Sequence, residues 1–526
     1  MPDIQVIPHY TKLSKVIIKR FVYKWGVIWL NGERNDKKMP TKHFLVRGLQ
    51  VIICCILVFA IGACSKMDSE PANDTPEDIP YEDNNVISEG GDDLDIRVEY
   101  EKRFIDIPSL KERYENYFSI GAAIDYNVID RYKDIILKHF SSVTPGNSIK
   151  PDTTQPAENT FKFDKGDKVV NFGIENGIDV RGHTLVWHNQ TPSWFFKDAK
   201  GELVSRDVAL ERMRNHINNV MSHYKGKIKE WDVVNEPISD DDSSILRTDS
   251  PWYQVIGEDY VKMAFIYAHA AEPDAKLFIN DYNIVVPGKR ERFYNFVKAL
   301  LDEGVPIHGI GIQGHWQLDW PSYEDIRYAL DLFSSLGVDI QITELDISFY
   351  SWGDSTAYKE PPAELLEKQA RRYQLLFDIF KDYSNVISKV TLWGVADDDT
   401  WLDNFPVPNR KNWPLLFDIN HQPKESFWRI VEEPVLSGIE VNGGTMSEPF
   451  DFRNLTYVIH VGADVENITI KPIANDPEVD VEVLNGEKNG DYYLVEVDNQ
   501  LPQAEIVVSG YGKTNTYELY IEKDKR

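Results

Sequence analysis

The sequence predicts an α/β protein, a closed (β/α)8 TIM barrel with a small C-terminal all-β sandwich domain. Three observations predict it. Between residues 100 and 433, short β-rich runs alternate with stretches of helical apolar spacing, the pattern of parallel βα units. The β-rich runs number roughly eight, the count that closes a parallel barrel. Beyond residue 434 helical periodicity disappears, and strands of alternating character are separated by turn residues. An open doubly wound sheet is the competing arrangement. It is disfavoured because no Gly-rich phosphate loop follows the first strand and because polar or aromatic residues end nearly every run.

In chain order, residues 1–63 read as a leader. The apolar run VIICCILVFAIGAC is short for a spanning helix and follows Lys42, His43 and Arg47, the basic-then-apolar anatomy of a secretory signal. MPTKHFLVRG supplies the basic opening, so translation is expected to start at Met39, and the residues before it are assigned no function. The end of the run, Ile61-Gly62-Ala63-Cys64, resembles a bacterial lipobox. That resemblance implies cleavage before Cys64, acylation of its thiol, and a secreted lipoprotein on the outer membrane or cell surface. An uncleaved signal anchor is the alternative. Residues 64–99 are rich in Asp, Glu, Pro and Asn and too poor in apolar groups to fold, so they read as a solvated acidic tether.

The barrel runs are FSIGAAID, SSVTPGN, DVRGHTLVWH, IKEWDVVNEP, AKLFINDYN, GIGIQGHW, DIQITELD and KVTLWGVAD. In a closed barrel their ends converge on one mouth, bringing together Asn147, His183, Trp187, Asn235, Glu236, Tyr282, Gln313, His315, Glu344 and Trp393. Two of these ends carry the chemistry. WDVVNEP delivers Glu236 and DIQITELD delivers Glu344, each a carboxylate where a buried strand stops. Alone, either would read as a surface charge. Together they are the pair that glycosidic cleavage needs, one carboxyl protonated and one ionised.

Composition narrows the partners. The chain has 526 residues, 57 basic against 85 acidic, and its net charge of -28 repels phosphate backbones and argues against nucleic acid. With 13 Trp and 26 Tyr it is rich in flat ring faces, which suit sugars as well as cores. The three cysteines, Cys54, Cys55 and Cys64, all fall at the leader, so the rest can hold no disulfide framework or cysteine metal site. No metal or cofactor is expected, since Asp354 lacks ligand-spaced partners and Asp397, Asp398 and Asp399 follow no calcium-loop pattern. All four read as solvated loop charges, and Trp194 reads as core. The expected oligomeric state is a monomer.

The motifs GHTLVWHNQTPSW, WDVVNEP, NDYN, GIGIQGHW, ITELD and TLWGVADDDTW recur in an order that resembles glycoside hydrolase family 10, the endo-1,4-β-xylanases. The resemblance spans nearly the whole barrel. It implies retaining hydrolysis of β-1,4-xylosidic bonds in xylan and xylo-oligosaccharides, with Glu236 as general acid and base and Glu344 as nucleophile. It also implies that Asn235 binds the 2-hydroxyl of the sugar being cleaved, and that His315 bonds Glu344 with Asp346 orienting the imidazole. Asn147, Lys150, His183, Trp187 and Gln190 match glycone-side positions, Tyr282 resembles an aglycone-side contact, and Trp393 and Trp401 resemble cleft walls. Gln313 joins them at the mouth. One departure is Gly146, where the family commonly has Glu, which is expected to weaken a distal glycone subsite.

The tail strands are LTYVIHV, ENITIKPI, VDVEVL, YYLVEV, AEIVVSG and TYELYI. They resemble a cadherin-like sandwich. Without a Trp to build a stacking platform, the domain reads as a spacer before it reads as a carbohydrate binder. A non-catalytic glycan-binding lipoprotein would share the leader and aromatics but would have no use for both glutamates. A barrel hydrolase of β-glucan remains the other enzyme reading.

Overall fold

The computed structural model describes residues 102–476, 479–497 and 502–524. The leader, the start at Met39, Cys54, Cys55, Cys64 and the tether at 64–99 lie outside the described residues.

Nine strands build the barrel: β1 (Ser119–Ile124), β2 (Ser142–Pro145), β3 (Asp179–Trp187), β4 (Glu230–Asn235), β5 (Lys276–Tyr282), β6 (Gly309–Gln313), β7 (His315–Gln317), β8 (Asp339–Ser348) and β9 (Ile387–Leu392). All pairings are parallel, in the order β6-β5-β4-β3-β2-β1-β9-β8, and β6 pairs with β8 to close the ring. Each predicted run supplies one stave. GIGIQGHW differs by dividing into β6 and β7 at Gly314. A Cβ there would sit 3.0 Å from the Leu345 Cα, a tight approach that glycine accommodates without displacing β8.

Strands such as β6, buried at every residue, read as continuous apolar runs because they are covered by both the barrel interior and the helical ring. Helices such as Ile129–His139 and Tyr323–Ser334 lay one apolar stripe on the strands and leave a polar face outward. Part of the barrel interior is ionic. Arg181 forks onto Asp232, and Lys389 pairs with Glu230, all nearly sealed from solvent. Buried charges persist only when paired in this way.

The acidic run after β9 corrects one sequence expectation. Asp397 is not a solvated loop charge: it is buried, 2.9 Å from Lys424 Nζ, and accepts the Leu415 N–H at 2.8 Å. The chain folds back so that residues 415 and 424 close over it, which no local pattern announces. Asp398 is partly covered, accepting from the Tyr132 hydroxyl at 2.6 Å. Asp399 is exposed, and Asp354 is a loop carboxylate that accepts the Thr356 N–H. Trp194 packs on Phe195 at the edge of the core.

Two sheets follow the barrel. One joins β10 (Leu436–Asn442), β13 (Asn467–Ala474), β16 (Tyr492–Glu496) and β15 (Gly486–Asn489). The other joins β11 (Thr445–Met446), β12 (Thr456–Val461), β18 (Lys513–Lys523), β17 (Ala504–Gly510) and β14 (Asp480–Leu484). Leu436, Ile459, Ile470, Val495, Ile506 and Leu519 form a separate core between them. Three strands escaped the sequence reading. β11 and β15 are short and largely exposed, and the β10 register slips between Leu436 and Gly438.

Sandwich and barrel share buried contacts. Trp428 meets Phe452 edge to face at 5.0 Å, and Arg429 Nε donates to the Asn475 carbonyl. Residues 103–105 pair with 453–455 before the chain enters the barrel. Among the described residues, no helix is long and apolar enough to cross a membrane.

Candidate active site

The mouth is built from strand ends. Glu236 follows the last residue of β4 with φ at +56°, an uncommon conformation for a side chain with a Cβ. Two neighbours hold it there: the Glu236 N–H donates to the Asn280 carbonyl at 2.7 Å, and the Ile238 N–H donates to Asp281 Oδ2 at 2.9 Å. The bend aims the carboxyl at Trp187, whose indole N–H donates to Glu236 Oε2 at 2.8 Å. Gln313 Nε2 reaches Oε1 at 3.2 Å, Asn235 Nδ2 lies 3.4 Å from the same oxygen, and His188 Nε2 stands 3.8 Å from Oε2.

Glu344 lies within β8. The two-residue period of the strand puts Asp346 on the same face, and His315 at the start of β7 faces both. His315 Nε2 is 3.0 Å from Glu344 Oε2, and its Nδ1 is 2.9 Å from Asp346 Oδ2. The Trp401 indole N–H donates to that Asp346 oxygen at 2.8 Å. Asn280 Nδ2 donates to Glu344 Oε1 at 2.7 Å and to Asn235 Oδ1 at 2.9 Å, and Gln313 Nε2 is 3.1 Å from Asn235 Oδ1. One amide network thus touches both carboxyl groups.

Their protonation diverges. Burial pushes the Glu236 carboxyl above its usual range, with Asp281 and Glu344 adding to the rise against the Trp187 and Gln313 donors. For Glu344, burial acts in the same direction but loses to the His315 hydrogen bond, the nearby His183 and the Asn280 donor, and the net shift is downward. Burial alone would depress His315, yet the two carboxylates, Asp346 foremost, push its imidazole up to about 10. It is therefore an imidazolium at neutral pH, donating from both nitrogens. Of the causes that raise Glu236, burial comes first and Asp281 second, ahead of the Glu344 charge.

Other predicted residues gather around this pair. Lys150 is buried, its ammonium 3.1 Å from Asn147 Oδ1, 3.0 Å from Gln190 Oε1 and 4.7 Å from the Trp187 ring. Beside Gly146, Asp125 accepts from the Asn147 backbone and side chain at 2.9 and 2.8 Å. His183 is held by Asp232 at 3.0 Å and meets Trp393 edge to face at 5.4 Å. Trp393 and Trp401 flank His315 at 6.0 and 4.9 Å. Tyr282 stands slightly apart: its hydroxyl donates to Asp240 and accepts from Arg247 at 2.8 Å, and Arg247 Nε reaches the Glu236 carbonyl at 3.4 Å.

Sequence reasoning missed Asn280, Asp281, His188, Asp232 and Arg247. The first two carried a signal, a polar pair interrupting the apolar run of FINDYN. Arg247 comes from a loop without any pattern. Among the described residues, no group of three or more His, Cys, Asp or Glu is arranged to hold a metal ion.

The barrel resembles known proteins. The family model "Glycosyl hydrolase family 10" matches residues 109–433. The chain is 50% identical over 326 residues to an endo-1,4-beta-xylanase of Geobacillus stearothermophilus, covering 62% of this chain and 98% of the relative. A beta-1,4-xylanase of Dictyoglomus thermophilum is 48% identical over 333 residues, covering 63% and 93%. Among solved structures, a Paenibacillus barcinonensis xylanase complexed with a conduramine derivative superposes with a TM-score of 0.61 at 49% identity, covering 62% of this chain and 98% of that one.

Proposed function

The chain belongs to glycosyl hydrolase family 10, and from that premise we propose that it is an endo-1,4-β-xylanase that cleaves xylan with retention of configuration. The observation that carries this reading is the pair Glu236 and Glu344 at one barrel mouth, joined by the Asn280, Asn235 and Gln313 amides and with carboxyl pKa values driven in opposite directions. Retention requires carboxyl groups about 5 to 5.5 Å apart, too close for water to attack between them. Ionised Glu344 attacks the anomeric carbon while Glu236 gives its proton to the departing glycosidic oxygen, so one C–O bond forms as another breaks. The ester on Glu344 removes a negative charge from beside Glu236, which favours its ionised form. Glu236 then takes a proton from water, the hydroxide attacks the anomeric carbon, and Glu344 leaves as a carboxylate.

Asn235 is positioned to hydrogen-bond the 2-hydroxyl as oxocarbenium character develops, and His315 with Asp346 holds Glu344 ionised and oriented. Asn147, Lys150, His183, Trp187 and Gln190 bind the glycone side, Gln313 contacts substrate at the mouth beside Glu236, Trp393 and Trp401 wall the cleft, and Tyr282 contacts the aglycone side. NMR of the first-formed product tests the reading: a β-anomer is expected, and initial release of the α-anomer would end it. Comparing turnover of aryl xylobiosides and cellobiosides separates xylan from β-glucan as substrate.

The anchor belongs to the same proposal. Acylated Cys64 tethers the enzyme to the outer membrane or cell surface, supported by the basic, then apolar, then cysteine order of the leader. Palmitate incorporation that survives Cys64→Ala would refute it. The C-terminal sandwich, cadherin-like in pattern, acts as a spacer, which the absence of any Trp beyond residue 434 supports.

A further inference from the structure

Most large aromatics here are buried: Trp231, Trp252, Trp316 and Trp428 are fully covered. Three on the loops after β8 and β9 are exposed and touch one another in series. Trp352 is 71% exposed, Phe405 46% and Trp401 37%. They form a continuous strip: Phe405 stacks on Trp401 at 5.1 Å with 20° between the planes, and Trp352 leans against Phe405 at 5.9 Å. Its inner end is tied to the catalytic groups, since Trp401 donates to Asp346 and its ring stands 4.9 Å from His315.

The strip is also braced. Trp352 sits on the loop after β8 and Phe405 on the loop after β9. Arg410 crosses between the loops, donating to the Asp354 carbonyl at 2.6 Å with its guanidinium 4.0 Å over the Tyr350 ring. Tyr350 returns a bond from its hydroxyl to the Lys411 carbonyl at 3.0 Å, and Asn412 Nδ2 donates to Ser348 Oγ at 2.9 Å. Loops tied together in this way bring the exposed rings into one place before a ligand arrives, which lowers the ordering cost of binding. A contiguous exposed aromatic patch is otherwise a liability in water.

We propose that Trp352 and Phe405 extend the cleft beyond Trp401 as a stacking platform for a further sugar ring of the same polysaccharide chain. The occupant follows from continuity: a chain leaving the catalytic pair along Trp401 meets these rings next, and ring faces match the apolar faces of neutral pyranoses. The proposal rests on the xylanase reading, and its test separates the two.

The ratio of kcat/KM on xylohexaose to kcat/KM on xylotriose is measured for the full chain and for Trp352→Ala, Phe405→Ala, the double variant and Trp352→Tyr. The ratio is expected to fall about three- to tenfold in the alanine variants, most in the double, and to be held by tyrosine, which retains a ring face. A ratio equal to that of the unmodified protein in the double variant overturns the platform, as does an equal loss on both substrates. Neither outcome touches the xylanase reading, which fails in this assay if the unmodified protein cleaves neither oligosaccharide.

Discussion

The end of β4 and the middle of β8 present the same side chain at the same barrel mouth, and the surroundings make the two opposite acids. Around Glu236 the neighbours are neutral donors, Trp187 and Gln313, with buried Asp281 adding negative charge. Around Glu344 they are an imidazolium and an amide, both donating. Burial raises both carboxyls, so it cannot distinguish them; the hydrogen-bonded cation does. A retaining hydrolase uses that asymmetry directly, because the protonated member must give a proton while the ionised member attacks.

The largest break in the comparison is expected from Glu344→Ala. Without a nucleophile, kcat on xylan should fall about 10⁵- to 10⁶-fold, and azide should restore turnover with formation of the inverted glycosyl azide. Failure of azide to give that product would remove Glu344 from its role. Glu236→Ala should cost about 10² to 10⁴ in kcat on xylan. The loss should shrink on aryl glycosides whose leaving groups depart without a proton, and an equal loss on both substrate types would contradict the acid role.

His315→Asn sharpens the comparison by removing the cation from one side only. Activity is expected to fall about a hundredfold, since an attacking carboxylate loses both its orientation and its ionising partner. Glu344 should then titrate higher, moving the acid limb of kcat/KM toward higher pH. Stability gives a second readout. The His315 pKa is raised on folding, so its contribution is complete below about 6.5 and is lost as pH rises through about 10. Chemical denaturation across that window should show a decline in the native chain that the Asn variant lacks.

Asp281→Asn acts on the other side and should have the smallest effect on rate, within about tenfold near the pH optimum. Asp281 raises Glu236, so its removal should lower the Glu236 pKa and draw the alkaline limb toward lower pH. An alkaline limb that stays in place would show that burial alone keeps Glu236 protonated. The substitution also removes one of the two carboxylates that Lys289 pairs with, Asp281 at 2.9 Å and Asp240 at 3.0 Å, and should lower the melting temperature.

Much of this was legible from the chain alone. Apolar runs closed by polar residues located all eight barrel staves and both glutamates, because a strand buried on both faces is mostly apolar and carries charge inside the core only where it is paired, as Arg181 is with Asp232. The ordered motifs then identified the family. Split strands and weak edges were not legible: Gly314 divides its run only because Leu345 approaches it, and the short β11 and β15 bury almost nothing.

The sequence by itself therefore determined the architecture, the two glutamates that end its fourth and seventh predicted runs, and the class of chemistry, which local periodicity, residue types at strand ends and the ordered motifs carry. Tertiary structure alone decided what drives the two carboxyl pKa values apart, that Asp397 is a buried partner of Lys424 rather than a loop charge, and that Trp352 and Phe405 extend a line begun by Trp401. The physical reason is distance along the chain. Trp187 reaches Glu236, Asn280 reaches Glu344, and Asp281 reaches the turn after Glu236 across dozens of residues, and protonation depends on what stands within a few ångströms in space rather than on what stands next in sequence.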